Sequence, residues 1–329
     1  MCCPRISGTG IPFCIATISG ISSCEKPLDD PVKRTLLWVV AVLSVVGNVT
    51  VLVFRFVFES AVITKSYRLF VSNLGLSDFI MGMYLLIIAG SDLYYQNDYV
   101  MFESEWRHST LCSVAGFLAT WSSETSAMFV LLITIERYLA VRFPFGTYRI
   151  TRDLKFFLLI LSWTVGLVLS LVPVVYQDWG IYSSNGMCLG LPMKNHREKG
   201  LRYSFCAFLV LPGILFILIA IGQMAIFQNI SGEKTNNLVN IQSAAKRRRE
   251  ITVAKNLSLV VVSNFLCWFP LFVFGLLATN GHDLSHELYS WLVVFVLPLN
   301  SAINPVLYTL PVIYKRWEEF KNRHAVKDT

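Results

Sequence analysis

Two carboxylates, Asp78 in "SNLGLSDF" and Glu124 in "SSET", stand inside long apolar runs of this 329-residue chain. An ionised carboxylate in an apolar medium is costly, so each calls for a hydrogen-bonding partner, a cation or a proton. For Asp78 the partners in reach are Ser126, Asn300 and Asn304, the last two one helical turn apart on one face. A second ionic group closes another apolar run. In "ERY", Arg137 lies beside Glu136 and ahead of Tyr138, and Glu250 offers it a further carboxylate. Covalent chemistry rests with eight cysteines, of which Cys2, Cys3, Cys14 and Cys24 crowd the first 24 residues. No H-E-x-x-H, paired-aspartate or Ser/His arrangement is present, so the chain is not expected to be an enzyme.

The elements that must position these groups are membrane helices. Hydrophobic residues make up 54% of the chain and charged ones 15%, with a mean hydropathy of +0.56. Soluble chains carry about a quarter charged residues. Seven apolar stretches, Thr35–Phe58, Leu69–Gly90, Thr110–Val141, Leu154–Tyr176, Tyr203–Phe227, Ile251–Thr279 and Leu288–Leu310, are each long enough to cross about 30 Å of hydrocarbon. The fold expected is an all-α membrane protein, a seven-transmembrane helix bundle. Placing the N-terminus outside and the C-terminus in the cytoplasm puts 19 of the 28 Lys and Arg inside, which the positive-inside rule favours. The net charge of +7 then reflects topology, and no nucleic-acid partner is expected. "KRRRE" (Lys246–Glu250) has the composition of a nuclear-localisation patch, but directly ahead of a span it reads as a topogenic helix end. The sequons at Asn48, Asn229 and Asn256 fall in membrane or cytosol and should carry no glycan.

Among seven-helix proteins, a retinal-type pump needs a lysine in the last span, and Leu288–Leu310 has none. Polar or special residues instead occur one set per span: Asn48 after Gly47; Asp78; Glu136–Arg137–Tyr138; Trp163; "CWFP" ending at Pro270; and "NPVLY" from Asn304 to Tyr308. Any one of them, Trp163 above all, could be a packing residue. In this order and together they resemble the pattern of rhodopsin-like G-protein-coupled receptors. Cys112 and Arg137 are 25 residues apart, about 37 Å of helix, so the third span reaches both interfaces. Cys188 is the only other cysteine in the extracellular loops of this topology, and an oxidising exterior should join it to Cys112, the alternative being two free thiols. The resemblance implies a switch. Arg137, held by Glu136 and Glu250, is freed to meet a G protein, the bland alternative being a snorkelling interfacial arginine. Trp268 acts as a lever, Pro270 and Pro305 as weak points in their helices, and Tyr308 swings toward Arg137. It also suggests Na⁺ as an allosteric ion at Asp78, Ser126, Asn300 and Asn304; a neutral Asp78 in an ion-free hydrogen-bond network is the alternative. No other cofactor or metal is expected.

"LPLNSAINPVLYTL", "GFLATWSSETSAM" and "MGMYLLIIAGSDLYY" resemble, more narrowly, the transmembrane domains of leucine-rich-repeat-containing receptors, with "RFPF" and "CWFP" leaning to the relaxin and snail orphan branch. Glu124 resembles a family glutamate facing the bundle. Two departures stand out: Ala220 and Ile221 occupy the region of the usual inner-end tyrosine of the fifth span, and Asn264 replaces the usual aspartate of the sixth. The resemblance divides the chain into a cysteine-rich hinge remnant (1–34), the receptor bundle (35–311), and an amphipathic helix with a short tail (312–329). Within the hinge a zinc site and disulfides are both open on cysteine count, and four cysteines allow three pairings. The expected function is transduction of a peptide or protein-hormone signal at the plasma membrane to a heterotrimeric G protein, with cyclic AMP as the suspected output. The lipid bilayer and a receptor dimer are further expected partners. A truncated, non-signalling partner of full-length receptors is the alternative.

Overall fold

A computed structural model describes residues 2–6, 12–16, 28, 30–57, 65–96, 98–143, 148–190, 198–232, 269–270, 272–273, 275–277, 291 and 298–307. Two short antiparallel strands come first, β1 (Cys2–Ile6) and β2 (Pro12–Ala16), with Cys3 opposite Ile15 and Pro4 opposite Cys14. Helices follow: α1 (Pro31–Val57), α2 (Lys65–Tyr94), α3 (Tyr99–His108), α4 (Thr110–Arg142) and α5 (Arg152–Val175). After two single 3₁₀ turns come α6 (Glu198–Phe205), a π-helical turn at Cys206–Val210, and α7 (Leu211–Gly232). Among the described residues five spans are thereby long and apolar enough to cross a membrane, the fifth running through α6, the π turn and α7. Residues 269–270, 272–273, 275–277 and 291, and the run 298–307, are helical where the sixth and seventh spans were expected. The amphipathic helix expected after Pro311 lies outside the described residues.

The helix starts follow local chemistry. Pro31 takes the first position of α1, where its missing N–H costs nothing, and Asp30 Oδ1 accepts from Val32 N at 2.8 Å. Ser109 caps α4 by accepting from Cys112 N at 3.1 Å, and Thr151 caps α5 by accepting from Leu154 N. The π turn precedes Pro212, which has no N–H for the carbonyl four residues back and whose ring would strike it. The widened turn absorbs this conflict, and Leu211 N donates to Cys206 O five residues earlier. The helices overrun the expected spans by up to five residues at an end, because hydropathy marks the hydrocarbon and the helices continue into the polar interface.

The bundle is apolar outward as well as inward. On α1 one stripe is buried, Leu37, Val40, Ala41, Ser44, Asn48, Val51 and Arg55, while Val39, Val42, Leu43, Val46 and Val53 stand exposed. On α5 the buried residues are Ser162, Gly166, Ser170 and Pro173, and Phe156, Phe157, Ile160 and Val168 face out. Small residues inward and large apolar ones outward suit lipid, where close backbone approach rather than water exclusion drives helix packing. Gly166 shows that closeness: a Cβ there would meet Thr125 Oγ1, with Trp121 Cδ1 at 3.2 Å.

α4 is the axis of the bundle, packed against α2, α5 and α7, with buried residues from Cys112 to Arg137. Apolar side chains form two layers around it. The outer one gathers Leu37, Tyr84, Trp106 and the Cys112–Cys188 pair, and the inner one Tyr67, Phe70, Leu74, Phe129 and Ile133. Between them the contacts are polar.

Candidate functional site

In the polar layer Asp78 is fully buried on α2 and accepts three hydrogen bonds. Ser126 Oγ on α4 donates to Oδ1 at 3.1 Å, Ser301 Oγ donates to Oδ1 at 3.2 Å, and Asn304 Nδ2 donates to Oδ2 at 2.7 Å. Ser126 and Asn304 are thus brought to Asp78, as expected from their positions. Ser301 makes the hydrogen bond expected of its neighbour Asn300, which is also buried. A side-chain pair joins α2 to α4 beside this cluster: Ser77 Oγ donates to Ser122 O at 2.9 Å and Ser122 Oγ to Ser77 O at 2.8 Å.

Asn48 has a specific task. Pro305 has no N–H, so the carbonyl of Ser301, four residues earlier, lacks its usual helical donor. Asn48 Nδ2 supplies one at 3.0 Å, while also reaching Ser44 O at 2.8 Å. Pro305 seats against Gly47, where an added Cβ would come within 3.0 Å of the ring. The Gly47–Asn48 pair thus fits α1 to a proline-interrupted helix. Trp163 is similarly tied, its Nε1 donating to Asn73 Oδ1 at 2.9 Å and its ring meeting Trp121 and Phe129 edgewise.

At the far end of α4, Arg137 is 2% exposed and its Nη2 lies 2.7 Å from Glu136 Oε2. Its guanidinium also covers the ring of Tyr67, 4.1 Å from the centroid. Glu136 is marked in the sequence by its charge beside Arg137, whereas no ionic pattern marks Tyr67. Tyr138 is half-buried. Where the usual tyrosine of the fifth span is absent, Gly222 packs on Thr134 and Gln223 Nε2 donates to Thr134 Oγ1 at 3.4 Å.

At the opposite end Cys112 and Cys188 form the expected disulfide, with Cα atoms 5.4 Å apart and both residues fully buried. The loop it anchors lies so close to α4 that a Cβ on Gly116 would strike Cys188 O and the Tyr182 ring. α3, absent from the sequence reading, braces this loop: Trp106 Nε1 donates to Gly186 O at 2.8 Å and Arg107 Nε to Ser183 O at 2.7 Å. Tyr84 OH on α2 donates to Met187 O at 3.0 Å. Tyr182 reaches inward, its OH lying 3.0 Å from both Thr120 Oγ1 and Ser170 O. Burial pushes its phenol above the ordinary value, which keeps it a neutral donor. Ahead of α1, Leu28 N donates to Asp92 Oδ1 at 3.0 Å and Arg34 Nε to Asp92 Oδ2 at 2.5 Å, so one buried carboxylate on α2 fastens the chain entering the bundle.

Glu124 is buried on α4, and its two oxygens have no hydrogen-bond partner among the described residues. Pro270 lies in a helical residue pair and is half-buried, and Pro305 is buried. Cys2, Cys3 and Cys14 fall on the backbone of β1 and β2. Cys24, Glu250, Trp268 and Tyr308 lie outside the described residues, as do Asn264 and Lys246–Glu250.

The family model for the 7 transmembrane receptor (rhodopsin family) matches residues 47–308. The chain is 34% identical to the G-protein coupled receptor GRL101 of Lymnaea stagnalis over 292 residues, which cover 88% of the chain and 26% of that protein. It is 30% identical to the human relaxin receptor 1 over 322 residues, 95% of the chain and 42% of the receptor. With the thyrotropin receptor of Ovis aries it shares 29% identity over 304 residues, 90% of the chain and 37% of the receptor. The chain therefore spans between a quarter and about two-fifths of the length of these curated relatives.

Proposed function

The chain belongs to the rhodopsin family of seven-transmembrane receptors, and from that premise we propose that it carries a peptide or protein-hormone signal across the plasma membrane to a heterotrimeric G protein. One observation carries the reading: a fully buried arginine, Arg137, held by Glu136 and Tyr67 at the end of the central helix. No bond is made or broken. The work is a shift between two packings of the bundle, one with Arg137 covered and one with Arg137 presented to the G protein. In the resting packing Glu250 is the second restraint on Arg137; on activation Trp268 acts as the lever and Tyr308 swings toward the freed arginine. In this reading the N-terminus faces outward, which the distribution of basic residues supports. A hormone partner is supported by relatives named for relaxin and thyrotropin, and cyclic AMP is the output proposed.

Na⁺ is proposed as the ion of the polar layer. The donor set fits it: the Asp78 carboxylate, the Ser126 and Ser301 hydroxyl oxygens, and Asn304 Oδ1, which is buried without a hydrogen-bond partner among the described residues. A hard monovalent cation there would neutralise Asp78 and join α2, α4 and the helix of residues 298–307 in the resting packing.

The test is a cyclic-AMP and calcium assay in cells, normalised to chain at the surface. Ligand-independent signal above mock, falling to mock with Arg137→Ala, is the expected result. Silence at full surface expression would favour a non-signalling partner of longer receptors.

A further inference from the structure

Tyr67 stands near two guanidinium groups that come from different helices. Arg137 of α4 lies 4.1 Å from its ring centroid and Arg55 of α1 5.6 Å. All three residues are withdrawn from solvent, Arg55 at 3% exposure, Tyr67 at 4% and Arg137 at 2%. Tyr67 begins the stripe Tyr67, Phe70, Val71, Leu74 on α2, at helical spacing, which fixes its ring in the inner apolar layer.

We infer that Tyr67 is a positioning residue for Arg137, a cation–π restraint that holds the arginine covered beside its ion pair with Glu136. The inference rests on the receptor reading given above. A guanidinium over an aromatic face is attracted by the ring quadrupole, and the attraction strengthens when water is excluded. Glu136 is on the same helix as Arg137, so their ion pair moves as one body and cannot by itself tie α4 to a neighbour. Tyr67 can, because it belongs to α2. Arg55 matters to the same contact: it engages the ring from α1, at the last turn where the helix dipole favours a cation. The ring thus links the inner ends of α1, α2 and α4. Uncovering Arg137 requires leaving the ring, so a weaker ring shifts the population toward the exposed state.

The experiment measures ligand-independent signalling of the full chain at matched surface density. Tyr67→Leu keeps bulk and loses the quadrupole. Phenylalanine and its progressively fluorinated analogues at position 67 keep shape while draining charge from the ring face. Signal should rise with each fluorine, by about three- to fivefold at full fluorination and in Tyr67→Leu, while Tyr67→Phe should keep the restraint and stay at the parent level. A merely structural role would not follow the fluorine series. If the leucine and fluorinated chains match the parent while Glu136→Gln raises signal, the inference falls and the receptor reading stands. If none of these chains departs from the Arg137→Ala level, the receptor reading falls and takes the inference with it.

Discussion

Cells making the chain with Cys112→Ser and Cys188→Ser are expected to hold most of it inside, with little reaching the surface. The bridge joins residues 76 apart, and closing a loop of that size stabilises a fold by about 4 kcal/mol through lost freedom of the unfolded chain. Cys188 also sits at φ 57°, a left-handed backbone that a non-glycine residue adopts only when its surroundings hold it there. Freed from Cys112, the segment can relax, and the bonds from Trp106, Arg107 and Tyr84 to its carbonyls lose their alignment. The purified double variant should melt roughly 10 °C below the parent, on a scale of about 2–4 °C per kcal/mol for a chain of this size. A reductant should lower the parent by about as much as the substitutions do and shift the variant far less. Equal melting of parent and variant would show that contacts alone seat the loop.

Replacing Asp78 has the second large effect, and its two substitutions separate packing from charge. Asp78→Ala strands three buried donors, Ser126, Ser301 and Asn304, each worth about 1–3 kcal/mol when left without an acceptor. The losses are not additive because the donors share one carboxylate. The expected outcome is a melting temperature lower by several degrees and a looser junction between α2 and the helix of residues 298–307. Asp78→Asn preserves volume and one acceptor but removes the charge, and its own amide meets the donors. If Na⁺ occupies this layer, the parent melts higher in sodium chloride than in choline chloride of equal strength, and Asp78→Asn abolishes the difference. Equal melting of the parent in both salts would leave a hydrogen-bond network without the ion.

The most legible residues were those out of place in hydrocarbon. Asp78, Asn48 and Arg137 each stand in an apolar run, so position alone marked them for a partner. The partners were less legible. Asn300 and Asn304 share a helical face, yet Ser301 donates to Asp78, because one serine among small residues carries no signal until the helix has a rotation. Asn48 is visible in sequence, but its task depends on Pro305 freeing a carbonyl that only the packed bundle brings near. Tyr67 reads as one more aromatic core residue, and its role exists only where α1, α2 and α4 meet. α3 escaped for a different reason. Its buried residues, Tyr99, Val100, Glu103 and Trp106, mix polar and apolar types over ten residues, so neither a hydropathy block nor a clean amphipathic pattern results. The disulfide, by contrast, followed from topology and compartment alone.

If Arg137 links the bundle to nucleotide exchange, a purified system shows it with neither ligand nor cell. The purified chain in lipid nanodiscs is mixed with a heterotrimeric G protein, and uptake of a non-hydrolysable GTP analogue is timed. Uptake faster than with empty nanodiscs, returning to that baseline with Arg137→Ala, is the predicted result. Uptake at the empty-disc rate, from a chain whose melting confirms the folded, disulfide-bonded state, would contradict it.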